Sequence, residues 1–64
     1  MQGLQKYRIE AGLTQEELAK KSGVSRVTIA NIERGSQSFI KSSTIIKLAD
    51  ALKVDPKVLL YPEE

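Results

Sequence analysis

A glycine followed two residues later by a hydroxyl side chain occurs twice in the first half of the chain, in Gly12-Leu13-Thr14 and in Gly23-Val24-Ser25. Glycine readily adopts the positive φ that ends a helix, and a serine or threonine hydroxyl caps the first turn of the next one. Glu17 lies three residues after Thr14, where its carboxylate can reach back to the backbone of the cap residue. This pattern predicts short helices joined by tight turns.

Apolar residues recur at helical spacing in the first half of the chain, which indicates helices rather than strands. The first helix is predicted over residues 4–11. The second helix is short and ends at Gly23. The third helix begins after the Ser25 cap, runs from about residue 26 to residue 34, and ends at Gly35.

A fourth and a fifth helix follow a loop that is predicted over residues 36–41. A serine, either Ser42 or Ser43, is predicted to cap the fourth helix. Asp55-Pro56 starts the fifth, because aspartate caps helices and proline suits the first helical position, and Pro62 ends it. The residues predicted to form the core are Leu4, Leu13, Leu18, Ala19, Val24, Ile29, Ile32, Ile45, Leu48 and Leu52. Three later apolar residues are predicted to divide between the core and a contact with a second copy of the chain: Leu59, Leu60 and Tyr61.

The chain is short and contains neither cysteine nor histidine. With 64 residues it is predicted to form a single domain over residues 1–64, near the lower size limit for folding on one hydrophobic core. This composition excludes disulfides, thiolate zinc sites and imidazole metal ligands, so no metal or other cofactor is expected. No apolar run approaches the roughly 18 residues that cross a bilayer, and the N-terminus lacks the apolar stretch of a secretory signal. A cytoplasmic protein without membrane association is therefore expected.

The distribution of charged residues does not indicate catalysis. An enzyme would need a nucleophile beside a base, paired carboxylates or a metal cluster, and the acidic residues lie on predicted helix surfaces. We therefore expect no catalytic residues and no enzymatic activity. The net charge of +2 falls in residues 1–34, which hold six basic and four acidic side chains, and the sequence pI is about 9.1. This charge is compatible with an anionic partner such as nucleic acid.

Residues 14–34 form the most informative segment of the sequence. They predict two short helices that are joined at Gly23 and cross at a steep angle, and the small Ala19 lets the two helices approach closely. Such a unit projects the outer face of its second helix. A helix has about the right width to enter the major groove of duplex DNA.

The pattern as a whole resembles the Cro/repressor-type helix-turn-helix family, also called the XRE family. The residues that carry the resemblance are Gly12-Leu13-Thr14-Gln15-Glu16-Glu17-Leu18-Ala19, Gly23-Val24-Ser25, Ile29, Ile32-Glu33-Arg34-Gly35, Lys47-Leu48-Ala49-Asp50-Ala51-Leu52 and Val54. The resemblance implies an all-α, five-helix, lambda-repressor-like fold. It also implies a sequence-specific transcriptional regulator, commonly a repressor, that binds double-stranded DNA as a homodimer on a near-palindromic operator.

The resemblance assigns roles to individual residues of the second and third helices. Arg26, Val27 and Asn31 would point into the major groove and read bases. These residue types suit that role, because arginine pairs with guanine, asparagine pairs with adenine, and a valine methyl group meets the methyl group of thymine. The residues expected to contact the DNA backbone or to position the base readers are Gln15, Ser25, Thr28, Arg34, Gly35 through its amide, and Lys41.

Arg8 and Glu33 occupy positions that in similar proteins form an ion pair between the first and third helices, which implies a structural role for them. The chain departs from the family in the loop after the third helix, which is one residue longer than usual and lacks the proline often found there. Ser42 also stands where an apolar residue is common. Phe39 or Ile40 is expected to supply the missing core contact.

A protein-interaction module with the same fold, such as the antitoxin of a toxin–antitoxin pair or an adaptor, is the alternative function. Such a module would present acidic or large apolar residues on the outer face of the third helix. That face instead carries Arg26, Val27, Thr28 and Asn31. The sequence therefore favours DNA binding, and an antitoxin that also represses its own genes would combine DNA with a protein partner.

Overall fold

Five α-helices make up the part of the chain that the structure describes. The computed structural model describes residues 3–36 and 39–60, except for the side chain of Leu60. In chain order the helices are α1 (Gly3–Glu10), α2 (Gln15–Ser22), α3 (Arg26–Arg34), α4 (Ser42–Leu52) and α5 (Pro56–Leu60). Residues 3–36 and 39–60 contain no strand, and the predicted all-α class is confirmed. The predicted contacts of Leu60 and Tyr61 and the predicted stop at Pro62 lie outside the described residues.

The caps predicted around α2 and α3 are confirmed. Thr14 Oγ1 accepts a hydrogen bond from the Glu17 amide at 3.1 Å, and the Glu17 carboxylate accepts one from the Thr14 amide at 2.8 Å. The bond from the Thr14 amide, followed by the hydrogen-bonding contribution of the Thr14 side chain, holds the pKa of the Glu17 carboxyl below its ordinary value. Gly23 ends α2 with φ +77°, a conformation in which other residues are strained. Ser25 then caps α3 by accepting a bond from the Thr28 amide at 3.1 Å.

The helices pack around one apolar core within the described residues. Its buried members are Leu4, Leu18, Val24, Ile29, Ile32, Ile45, Leu48, Ala49, Leu52 and Leu59. Leu13 and Ala19, which were also predicted as core residues, are only half-buried and pack against its edge. Helix α4 packs on α2 and α5, α1 packs on α3 and α5, and α2 packs on α3. The inner side of α3 is therefore covered by α1 and α2, and its other side faces outward.

The start of α4 differs from the prediction. Lys41, rather than Ser42 or Ser43, occupies the N-cap position, and its side chain makes no capping hydrogen bond. Ile40 packs against the core, whereas Phe39 is 74% exposed, so Ile40 supplies the expected apolar contact. Because Ile40 is anchored next to the helix, the chain passes through an extended Lys41 and turns into α4 directly after it. Both serines consequently lie inside the first turn, and the predicted serine cap was wrong.

The ends of α1 and α5 follow their local sequence. Helix α1 spans Gly3–Glu10 rather than residues 4–11, because Gly12 takes φ +73° and the closing turn already includes Ala11. Asp55 caps α5 as predicted, since its carboxylate accepts a hydrogen bond from the Lys57 amide at 2.9 Å. None of the helices in the described ranges has the length and the apolar character needed to cross a membrane.

The capping box yields a test of how the helix-turn-helix unit is held. Thr14→Ala removes the hydroxyl that accepts the Glu17 amide, and we expect it to lower the free energy of unfolding by about 1 kcal/mol. Thr14→Ser keeps a hydroxyl and is the matched control, with an expected loss of at most a few tenths of a kcal/mol. Urea unfolding at neutral pH measures both. Equal losses in the two variants would contradict a capping role for the hydroxyl.

Candidate nucleic-acid interface

Helix α3 has one buried side and one open side. Ile29 and Ile32 are fully buried. Because successive residues of a helix are about 100° apart, the positions of these two residues determine which residues lie on the opposite side of α3. The residues on or beside the open side are Arg26, Val27, Ala30, Asn31 and Arg34. Val27 is 63% exposed, Arg26 and Arg34 are exposed, and Asn31 is half-buried. The three residues predicted to read bases are therefore at the surface, and none of them belongs to the core.

Ala30 lies in the middle of this open side and was not among the predicted site residues. Its side chain is a single methyl group, so the helix backbone can approach a partner more closely there than it could beneath a longer side chain. Helical spacing could have identified Ala30, because it is four residues after Arg26 and four residues before Arg34 and so shares their side of the helix.

An ion pair joins α3 to α1. Arg8 Nε donates to Glu33 Oε2 at 2.7 Å and Arg8 Nη2 donates to Glu33 Oε1 at 3.2 Å, which is a bidentate contact. Only 11% of the Arg8 side chain and 5% of the Glu33 side chain are exposed. Arg8 Nη1 also donates to the backbone carbonyl of Leu13 at 2.7 Å, in the turn before α2. The pair therefore fixes the first helix, the turn and the third helix relative to one another.

Gln15 at the start of α2 belongs to the same hydrogen-bond network, which sequence reasoning did not reveal. Its amide nitrogen Nε2 donates to Glu33 Oε1 at 3.0 Å. The amide group carries a second hydrogen that Glu33 does not use. Glu33 therefore sets the orientation of Gln15, and the second hydrogen is available to an acceptor outside the chain. We call Arg8, Leu13, Gln15 and Glu33 the Arg8–Glu33 network.

A cleft of about 430 Å³ lies beside the network, between the first three helices. The residues that line it are Gln5, Gln15, Arg26, Ala30, Glu33 and Arg34. Gln5 comes from α1 and was not predicted, although it shares a helix face with Arg8 three residues later. Glu33 is paired with Arg8, so the two other arginines and the two glutamine amides set the character of the cleft. Such a group of donors suits an anion such as a phosphate.

The two hydroxyl residues at the start of α3 contact each other. Ser25 Oγ donates to Thr28 Oγ1 at 2.9 Å and accepts from the Thr28 amide at 3.1 Å. Since Ser25 Oγ can supply the hydrogen of the contact between the two hydroxyls, the Thr28 hydroxyl can donate its own hydrogen to another acceptor. Ser25 is exposed and Thr28 is half-buried. Both lie beside Val27, where a contact with the DNA backbone was predicted.

The other predicted backbone contacts lie at or beyond the end of α3. Arg34 Nη2 donates to Asn31 Oδ1. The Gly35 amide, which was predicted to bind phosphate, donates to the carbonyl of Ile32 at 3.1 Å and so closes the end of the helix. Lys41 is exposed at the start of α4 and is not one of the residues that line the cleft.

Residues 4–59 match the helix-turn-helix family model. The match covers most of the chain, and the chain therefore belongs to the XRE-type helix-turn-helix family of DNA-binding proteins, as the sequence pattern predicted.

Three relatives illustrate this membership. The chain is 45% identical over 58 residues to the HTH-type transcriptional repressor RghR of Bacillus subtilis strain 168, an alignment that covers 91% of this chain and 43% of the relative. It is 39% identical, over an alignment of 71 residues, to the HTH-type transcriptional regulator RghRB of the same organism. This alignment covers 98% of this chain and 51% of RghRB. An HTH-type transcriptional regulator of Methanocaldococcus jannaschii is 62% identical over 32 residues, which cover 50% of this chain and 48% of the relative. The chain thus spans about half the length of the curated relatives it matches.

The contribution of the Arg8–Glu33 ion pair to the free energy of unfolding can be tested. Arg8→Met leaves the nearly buried Glu33 carboxylate without its counter-charge, and we expect it to lower the free energy of unfolding by about 3 kcal/mol. The double variant Arg8→Met, Glu33→Met leaves no stranded charge and should be more stable than Arg8→Met alone. A double-mutant cycle by urea unfolding, completed with Glu33→Met, measures the coupling. Additive losses would contradict a direct contact between the two side chains.

Proposed function

We propose that this chain binds duplex DNA with the outer face of α3 in the major groove and thereby regulates transcription. The observation that carries the proposal is that Arg26, Val27 and Asn31 lie at the surface of a helix whose other side is anchored by Ile29 and Ile32. A guanidinium, a methyl-bearing side chain and an amide are the groups that read the mixed edges of base pairs. Membership of the XRE-type family supports the same conclusion.

The cleft beside α3 supports a role for the backbone contacts. Phosphate contacts position a protein on the duplex, whereas contacts to base edges carry the sequence information. In the proposed complex Gln15 donates its second amide hydrogen to a phosphate, and the Thr28 hydroxyl donates to another. The Arg8–Glu33 network orients Gln15 before DNA arrives, so little conformational entropy is lost on binding.

We further propose that the chain acts as a homodimer and represses transcription by occupying its operator. A two-fold dimer would place two α3 helices about 34 Å apart, in successive major grooves, and would therefore select a near-palindromic site. The name of RghR describes a transcriptional repressor, and that of RghRB a transcriptional regulator, which supports this role. In this proposal residues 1–64 form a single domain that acts in the cytoplasm without a catalytic step.

Base readout by Arg26 is tested by comparing two kinds of DNA. Selection of bound duplexes from a random pool gives the preferred site, and titration then measures affinity for that site and for unrelated duplexes. We expect Arg26→Ala to weaken binding to the selected site by about 1–3 kcal/mol and to relax preference at one base pair. Lys21→Ala, which removes an exposed cation from α2, is the matched control and should change both affinities slightly and equally.

Two results would contradict the proposal. If Arg26→Ala weakened binding equally on selected and unrelated duplexes, Arg26 would contact only the DNA backbone. If the wild-type chain enriched no sequence from the pool, sequence-specific DNA binding itself would be contradicted.

A further inference from the structure

Asn31 and Arg34 form a contact on the outer face of α3 that the proposed function does not use. Arg34 Nη2 donates to Asn31 Oδ1, and both residues lie on the open side of the helix. We propose that Arg34 is a positioning residue that determines base specificity: by engaging the amide oxygen of Asn31, it makes Asn31 read guanine instead of adenine. This inference rests on the proposed insertion of α3 into the major groove.

The contact fixes which end of the Asn31 amide faces outward. Residues three apart are neighbours on a helix surface, and a hydrogen bond from a guanidinium is stronger than one between neutral groups. An asparagine amide that is free to rotate can present either its oxygen or its nitrogen to a partner. With the oxygen turned toward Arg34, the amide nitrogen and its two hydrogens are directed away from Arg34.

The backbone at the end of α3 fixes the position of Arg34 independently of this contact. Gly35 takes φ +77°, and the Ser36 amide donates to the backbone carbonyl of Asn31 at 3.0 Å. Ser36 Oγ donates to the same carbonyl at 3.3 Å. The last turn of the helix is therefore closed, and Arg34 starts from a fixed point beside Asn31.

The donor pattern of the pair matches guanine. In the major groove adenine presents the acceptor N7 and the donor N6 amino group, so an asparagine that reads adenine must accept a hydrogen bond with its oxygen. Guanine presents two acceptors, N7 and O6. The amide nitrogen of Asn31 and the remaining N–H groups of Arg34 are all donors, and they would face those two acceptors.

The guanidinium also disfavours adenine directly. The oxygen of Asn31 has a second lone pair, but that lone pair lies beside the positive charge of Arg34. An adenine amino group that approached it would bring a positively polarised hydrogen toward a cation. Guanine O6 carries negative partial charge and is attracted by the same guanidinium.

The test is to compare base preference in four forms of the chain: wild type, Asn31→Ala, Arg34→Ala and Lys21→Ala. Selection from random duplexes identifies the base pair at which Asn31→Ala loses its preference. Affinities are then measured for two duplexes that differ only there, one with guanine and one with adenine. Lys21→Ala removes an exposed cation that is not one of the residues lining the cleft and serves as the charge control. Far-UV circular dichroism verifies that each variant is folded.

We expect the wild type and Lys21→Ala to prefer guanine at that base pair by roughly tenfold, the scale of discrimination by a paired contact. Arg34→Ala frees the amide oxygen and should abolish this preference or reverse it toward adenine. A wild-type preference for adenine would overturn the inference, as would an Arg34→Ala variant that keeps the guanine preference. Specific binding with either of those results would leave the proposed function intact, whereas a wild type that selects no sequence would contradict both.

Discussion

The bidentate contact between Arg8 and Glu33 is the interaction on which the arrangement of the first three helices depends. Apolar packing holds α1, α2 and α3 together, but packing between apolar surfaces is not directional. The ion pair and its bonds to Leu13 and Gln15 are directional, and they connect one carboxylate on α3 to the other two elements. Because both charges are nearly buried, any shift of α3 relative to α1 would leave one of them without a partner.

The surface offered to a partner follows from how α3 is bounded. Ser25 sets its first turn, Gly35 sets its last, and Ile29 and Ile32 set its rotation about its own axis. Because of these constraints Val27 cannot be buried in the core, although burying a valine is normally favourable. The exposed Val27 shares this outer side of α3 with Arg26 and Arg34, which supports the proposal that this side binds DNA.

Much of this fold could be predicted from the sequence because its signals are local. The Thr14 box, the Gly23 turn and the Ser25 cap each depend on neighbouring residues, and the limits of α3 were predicted correctly from them. The predicted start of α4 was wrong because the start depends on Ile40, whose burial is set by distant parts of the chain.

The candidate site was less predictable than the fold. That Gln15 donates to Glu33 depends on how α2 and α3 are packed. The contact between Arg34 and Asn31 depends on the side-chain conformation that each adopts, which spacing along a helix permits but does not determine. Gln5 lines the cleft only because α1 crosses α3 there. Sequence patterns predicted which helix carries the candidate site, and the packing of the other helices determines which residues surround it.

The most direct test of this account is an NMR titration of the isotopically labelled chain with the duplex selected from a random pool. We expect the largest changes in amide chemical shift in α3 and at Gln15 at the start of α2, with small changes across α5. Changes concentrated in α4 or α5, with α3 unaffected, would contradict this account, because they would place the binding surface on the other side of the molecule.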